Sequence, residues 1–325
     1  MKTLKKTGLY VLGIFSLLLI LAIIVLFTLF PKVDTAPELT VERTPERIER
    51  GRYIANAVAV CMDCHSQRDW SSYAGPMVPG TLGMGGERFS REMGFPGVFY
   101  SKNITPAALS GWTDGEIYRT ITSGVDREGK ALFPVMPFHS YNQLHDEDIF
   151  SIIAYIRSLD PIENEIPERT VDFPVNLLIR TFPNKRNQVD QIPDKADKVA
   201  YGRYVTTMAG CIDCHTPVKK GNIILEEIFS GGRAFEMPGG TLVSSNLTPH
   251  NTGIANWTEA QFISTFKQYQ DSTYVSPKLG GTDMNTLMPW MMYSTMKEED
   301  LGAIFAYLKS LPPIERTVQK FVPKN

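Results

Sequence analysis

Two pentapeptides share one spacing: Cys61-Met62-Asp63-Cys64-His65 and Cys211-Ile212-Asp213-Cys214-His215. Each is a C-x-x-C-H, and together they use all four cysteines of the chain. Two thiols three positions apart can both reach the vinyl groups along one porphyrin edge. The histidine that follows then lies under the ring, with its imidazole toward the iron. This is the attachment signature of c-type haem. Two covalently attached haems c are therefore expected, on Cys61 and Cys64 with His65, and on Cys211 and Cys214 with His215. A four-cysteine zinc site fits the count but leaves both histidines unexplained, and zinc modules are compact, whereas these pairs lie 150 residues apart. A thioredoxin-like C-x-x-C needs a βαβ setting, and no alternating strand–helix pattern surrounds either pair. Two disulfides need no histidine.

The rest of the chain repeats as well. The segment from about Glu46 to Leu159 recurs from about Ala200 to Leu311, each unit being the size of a small domain. Gly51-Arg52-Tyr53 answers to Gly202-Arg203-Tyr204, with the first cysteine ten residues after one glycine and nine after the other. Gly85-Gly86 answers to Gly231-Gly232, Asn103-Ile104-Thr105-Pro106 to Asn246-Leu247-Thr248-Pro249, and Trp112-Thr113 to Trp257-Thr258. Met136-Pro137 answers to Met288-Pro289, each with a tyrosine four residues after the proline.

That last pair selects the sixth iron ligands. Proline holds the residue before it extended, which suits a loop that pushes a side chain toward a metal. Met136 and Met288 are the expected ligands, and methionine sulfur raises the reduction potential relative to histidine. His139 is a rival for the first site, but its counterpart is Met291. Met284, Met292 and Met296 crowd the second. His145 and His250 have no counterparts and read as surface histidines. Other chemistry is absent: there is no Walker-type GK[ST] and no HExxH. The sequons at Asn103, Asn246 and Asn256 are weak, two of them belonging to the repeat itself.

The elements that must position these residues read as helices. Ile149, Ile152, Ile153, Ile156 and Leu159 form an amphipathic stripe, repeated by Leu301, Ile304, Phe305, Leu308 and Leu311. Acids open both helices, at the positive end of the helix dipole. Thr113 with Glu116 and Thr258 with Gln261 form capping boxes. A further helix leads into each haem motif, and Gly51 and Gly202 suit its crossing with the C-terminal helix, facing Tyr155 and Tyr307. The Gly- and Pro-rich stretches between read as irregular loops without strands of useful length. The expected fold class is all-α: two tandem domains, 45–160 and 199–325, joined by a Pro-containing linker, 161–198.

Leu9 to Phe30 form a charge-free run of 22 residues behind Lys2, Lys5 and Lys6. This is long enough to cross a bilayer, and the lysines place its start in the cytoplasm. A cleaved signal peptide has a shorter core and a small-residue cleavage site. Residues 1–31 are thus expected to be a retained single-pass anchor in the cytoplasmic membrane, with the haem domains on the periplasmic side. Composition is that of a globular protein, 43% hydrophobic and 21% charged with a net charge of −2. Nothing basic points to nucleic acid.

With these residues together, the chain resembles a diheme member of the class I cytochrome c superfamily. More narrowly, it resembles the cytochrome c subunits of membrane-bound alcohol and gluconate-type dehydrogenases. The resemblance rests on C-x-x-C-H, N-[I/L]-T-P, W-T, M-P with its tyrosine, and a closing A-Y-[I/L]-[R/K]-S-L. It implies electron transfer between a dehydrogenase or respiratory complex and an acceptor such as an oxidase or another cytochrome. Those subunits typically hold three haems, where this chain has two motifs. A diheme peroxidase or thiosulfate-oxidising cytochrome is the competing expectation, and it needs one iron with an open distal side.

Overall fold

The computed structural model describes residues 2–219, 221–271 and 273–324. Helix α1, Lys2–Leu29, exposes most of its apolar side chains from Leu9 onward, and it is long and apolar enough to cross a membrane. The remaining long helices come as matched sets. The first repeat has α2, Pro45–Tyr53, α3, Asp114–Ser123, and α4, Asp146–Arg157. The second has α5, Lys198–Met208, α6, Glu259–Lys267, and α7, Glu298–Ser310.

Each set is organised by one crossing. A Cβ on Gly51 would lie 1.8 Å from the Ser151 carbonyl oxygen and 2.8 Å from the Tyr155 Cβ. On Gly202 it would lie 1.9 Å from the Ala303 oxygen and 3.0 Å from the Tyr307 Cβ. Glycine is what lets α2 meet α4, and α5 meet α7, backbone to backbone. Both expected capping boxes form, Thr113 with Glu116 and Thr258 with Gln261.

The single-residue offset between the repeats has a structural cause. Beyond Tyr53, α2 runs on through a π-helical turn, Ile54–Val58, whereas α5 stays α-helical to Met208. A π turn closes i→i+5, so it takes up one extra residue. Both helices then end on a left-handed residue just before the first cysteine: Val60 at φ 45° and Gly210 at φ 64°.

The all-α expectation holds only in part. Three small antiparallel sheets form in the stretches read as loops. Strands β1, Arg88–Phe89, β2, Gly97–Tyr100, and β3, Thr170–Val171, make the first. β4, Val218–Lys219, pairs with β5, Asn222–Ile223. β6, Ala234–Met237, β7, Gly240–Val243, and β8, Phe321–Pro323, make the third. They are two to four residues long, enough to pair loop backbone that would otherwise lack partners but too short to show alternation. The segment read as a linker contributes β3, and its Arg186 guanidinium bonds the Tyr118 hydroxyl at 2.7 Å and Asp146 at 2.7 Å.

The repeats do not keep separate interiors: buried side chains of both form one continuous apolar cluster. Their junction is reciprocal. The Tyr53 hydroxyl donates to Asp300 of the other repeat and accepts from the Lys297 amide. Its counterpart Tyr204 donates to Asp148 at 2.6 Å and accepts from the His145 amide. Each aspartate is also held from its own repeat, Asp148 by Arg50 and Asp300 by Tyr201. Equivalent residues meet in exchanged order, as across a twofold axis.

Candidate haem sites

Each C-x-x-C-H occupies one short helical turn, Cys61–Cys64 and Cys211–His215, directly after the left-handed residue. The two thiols of each motif therefore face one way. His65 Nδ1 lies 2.7 Å from the Lys102 carbonyl oxygen, and His215 Nδ1 lies 2.8 Å from that of Ser245. With Nδ1 donating to a carbonyl, Nε2 is left as the free lone-pair nitrogen, and the ring orientation is fixed. Burial lowers both imidazole pKa values, against the opposing pull of those carbonyls. Each ring is kept neutral, the form that ligates a metal.

The repeated motifs explain how these carbonyls are held. Lys102 and Ser245 immediately precede Asn103 and Asn246. Asn103 Oδ1 accepts from the Thr105 amide and hydroxyl, at 2.9 and 2.8 Å, while its amide donates to the Ile162 carbonyl at 2.7 Å. Asn246 repeats this with Thr248 and Ile314. Both asparagines are buried with their amides engaged, which removes two of the sequons as acceptors. From the other side, the Gly85 amide donates to the His65 carbonyl and Gly231 to that of His215, at 2.9 and 2.7 Å. Gly85 at φ 70° and Gly231 at φ 74° have no room for a side chain, since a Cβ would come within 2.5 Å of the carbonyl carbon they pack against.

Met136 and Met288 lie half-buried at the edge of the apolar cluster, as do Cys61 and Cys211. A short helix follows each, Phe138–Tyr141 and Trp290–Tyr293. Its tyrosine ties the methionine loop to the haem motif: Tyr141 Oη donates to the Ala59 carbonyl at 2.9 Å and Tyr293 Oη to that of Ala209 at 2.6 Å. Both carbonyls stand two residues before the first cysteine. Among the rivals, His139 has Nδ1 engaged by Asn184 at 2.9 Å, and Met296 is fully buried. His145 and His250 are half-buried, each accepting through Nδ1 from an amide two residues on.

The tyrosines of both methionine loops are shifted by groups of both motifs. Tyr141 is raised well above the ordinary phenol pKa, first by burial, then by Cys61, Cys64 and Asp213 of the other motif. Tyr293 is raised likewise, with Cys211, Cys214, Tyr141 and Asp63 as neighbours.

Sequence reasoning missed the charges around the motifs. Burial pushes Asp63 up to about 6, with Arg68 pulling down and Glu87 pushing further up. Arg68 pairs with Asp63 at 2.7 Å, with both side chains nearly buried, and lies 4.1 Å over the Trp70 ring, whose Nε1 donates to Glu87. In the second repeat the position of Glu87 is Arg233, which bonds the Asp213 main-chain carbonyl. The place of Arg68 is taken by Val218 in the second repeat, so comparison of the two halves does not single it out.

These residues fit haem c. Two thiols on one turn, an imidazole with Nε2 free and a thioether whose loop is tied to the end of the preceding helix form a full donor set in each repeat. Around the second motif, Asp213 Oδ2, Thr206 Oγ1 and Trp290 Nε1 are buried with no protein hydrogen-bond partner. Among the described residues, no three of His, Cys, Asp and Glu come together as they would for a bare metal ion.

Comparison with known proteins agrees. The sequence profile of the cytochrome c family matches residues 199–312. The chain is 27% identical over 302 residues to the cytochrome c subunit of a quinone alcohol dehydrogenase from Gluconacetobacter polyoxogenes, covering 86% of this chain and 59% of that one. It is 28% identical over 279 residues to a fructose dehydrogenase cytochrome subunit from Gluconobacter japonicus, covering 82% and 52%. The chain thus spans little more than half the length of these subunits. With a diheme cytochrome c-type protein from Cereibacter sphaeroides it is 27% identical over 296 residues, covering 87% of this chain and 92% of that one. Residues 199–312 are therefore a cytochrome c domain, and the chain as a whole resembles the cytochrome subunits of quinone alcohol and fructose dehydrogenases and a diheme cytochrome c.

Proposed function

We propose that this chain is a membrane-anchored electron carrier with two haems c. One would be held by Cys61 and Cys64, with His65 and Met136 as its iron ligands. The other would be held by Cys211 and Cys214, with His215 and Met288. The cytochrome c units are 45–160 and 199–325, residues 161–198 join them, and residues 1–31 anchor them with the haem units on the periplasmic side. The observation that carries this reading is that the same frame is built twice: a carbonyl on each histidine Nδ1 and a tyrosine from each methionine loop onto the end of the helix that leads into the motif.

Bound haem supplies a reversible one-electron iron couple. The chain supplies the setting. Lys102 and Ser245 orient the imidazoles, the Met-Pro loops bring in sulfur, and the apolar cluster excludes water. The reciprocal tyrosine–aspartate junction keeps the two motifs in register, so electrons can pass within one chain from donor to acceptor. The dehydrogenase subunits among the relatives support a dehydrogenase as partner, and the acceptor is then an oxidase or another cytochrome.

Carbon monoxide tests the ligation. With methionine on both irons, the fully reduced protein should show no spectral change on adding carbon monoxide. A shift amounting to half the haem would mean one open iron and would favour a peroxidase-like or thiosulfate-oxidising enzyme.

A further inference from the structure

The chain between the repeats carries two large apolar side chains on its surface. Phe173 is 78% exposed and Leu178 is 46% exposed. Single exposed apolar residues need no explanation, but this pair sits on a segment held firmly at both ends. Before it, β3 pairs with β2. After it, Ile179 is buried, and the Phe182 ring meets Phe133 at 6.1 Å, at the end of a row formed with Phe89, Phe95 and Phe99. Between β3 and Phe182, Phe173 precedes the turn Val175–Leu178, and Leu178 closes it just before the turn Ile179–Thr181.

The same segment touches the outer end of α1. The Arg180 guanidinium lies 4.7 Å from the centre of the Phe27 ring, and its Nε is buried with no hydrogen-bond partner. A second tie follows, Lys185 to Asp34 at 3.0 Å. The apolar stretch Lys6–Leu29 is 24 residues. At 1.5 Å per residue it is about as long as a hydrocarbon core is thick, so Phe27 near its end marks the headgroup level. Arg180 is thereby placed at phosphate depth, and its planar fork of donors matches phosphate oxygens.

We propose that residues 173–182 lie in the phospholipid headgroup layer beside α1. Phe173 and Leu178 enter the lipid, Arg180 meets phosphate, and the β1–β2–β3 sheet of the first repeat is held toward the bilayer. The inference rests on reading α1 as a membrane anchor. Two attachment points instead of one convert a swinging tether into a fixed orientation of the haem units.

The test uses the full haem-loaded chain in vesicles of phosphatidylethanolamine and phosphatidylglycerol. The native cysteines are taken up by haem, so a nitroxide can be placed on Phe173→Cys, Leu178→Cys or Val275→Cys, the last at a site 82% exposed in the second repeat. All three positions are exposed, and unchanged haem absorption verifies folding. The expected result is that labels at 173 and 178 collide several-fold more with oxygen, relative to a water-soluble nickel chelate, than the label at 275. Labels at 173 and 178 that match 275 overturn the inference. So do labels reached by neither probe, which would mean that a protein surface covers them. An alkaline carbonate wash separates the two readings. Protein that stays in the vesicles with water-exposed labels leaves the anchor standing and removes only this contact. Protein that washes off removes both.

Discussion

At the scale of single residues, each histidine and methionine is defined by what holds it. His65 and His215 are each fixed through Nδ1 by a carbonyl on a loop that asparagine and threonine brace. Met136 and Met288 are fixed less directly, through the tyrosine five residues on. Met136→His should therefore remove half of the weak sulfur-to-iron absorption of the oxidised protein and lower one of two potentials, read by spectroelectrochemistry. Tyr141→Phe leaves the Ala59 carbonyl buried without its donor, at a cost of about 1–3 kcal/mol. The sulfur-to-iron band should then vanish at a lower temperature than in the parent protein, while the haem stays covalently bound. The two C-x-x-C-H motifs and both Met-Pro pairs stood out in the sequence because the repeat shows each twice. Arg68 did not, since the equivalent place in the second repeat is Val218, so the repeat gives no second arginine beside the motif.

At the scale of elements, the helices were legible and the sheets were not. Capping boxes and apolar stripes are local signals, and both crossing glycines stood at matched positions. Strands of two to four residues offer no alternation to read, and the partners of β3 and β8 come from far along the chain. Sequence comparison exposed the offset between the repeats without its cause, the π turn at Ile54–Val58. The crossings give a direct prediction. Gly202→Ala sets a Cβ 1.9 Å from the Ala303 oxygen, so α5 and α7 must separate, at a cost of about 1–3 kcal/mol for overpacking. Urea unfolding followed at the haem absorption should show this as a lower midpoint. Val60 predicts the opposite sign. A β-branched residue at φ 45° is strained, and glycine fills the equivalent place in the second repeat. Val60→Gly should stabilise the protein by up to about 1 kcal/mol, the relief of strain exceeding the added freedom of the unfolded chain.

At the scale of the whole molecule, the repeats form one body joined by Tyr53 to Asp300 and Tyr204 to Asp148. Burial, reinforced by these carboxylates, raises the hydroxyl pKa values of Tyr53, Tyr201 and Tyr204 above the ordinary phenol range. A group whose folded pKa is raised contributes stability that is fully present below its unfolded pKa, here about 10. That contribution is lost as pH rises from there toward the folded values. Thermal stability should thus fall steeply above about pH 10, and a Tyr53→Phe, Tyr204→Phe double variant should start lower at neutral pH and fall less. None of this junction was legible beforehand, because repeat alignment pairs Tyr53 with Tyr204 and says nothing of their exchanged partners. The junction matters to function only if both repeats carry haem, and that is what most needs measuring. A pyridine haemochrome assay on the purified chain, set against its protein content, should give two covalently bound haems c per chain, with one lost in Cys61→Ala and the other in Cys211→Ala. One haem per chain in the parent protein, or haem that extracts into acidified organic solvent, would contradict the account.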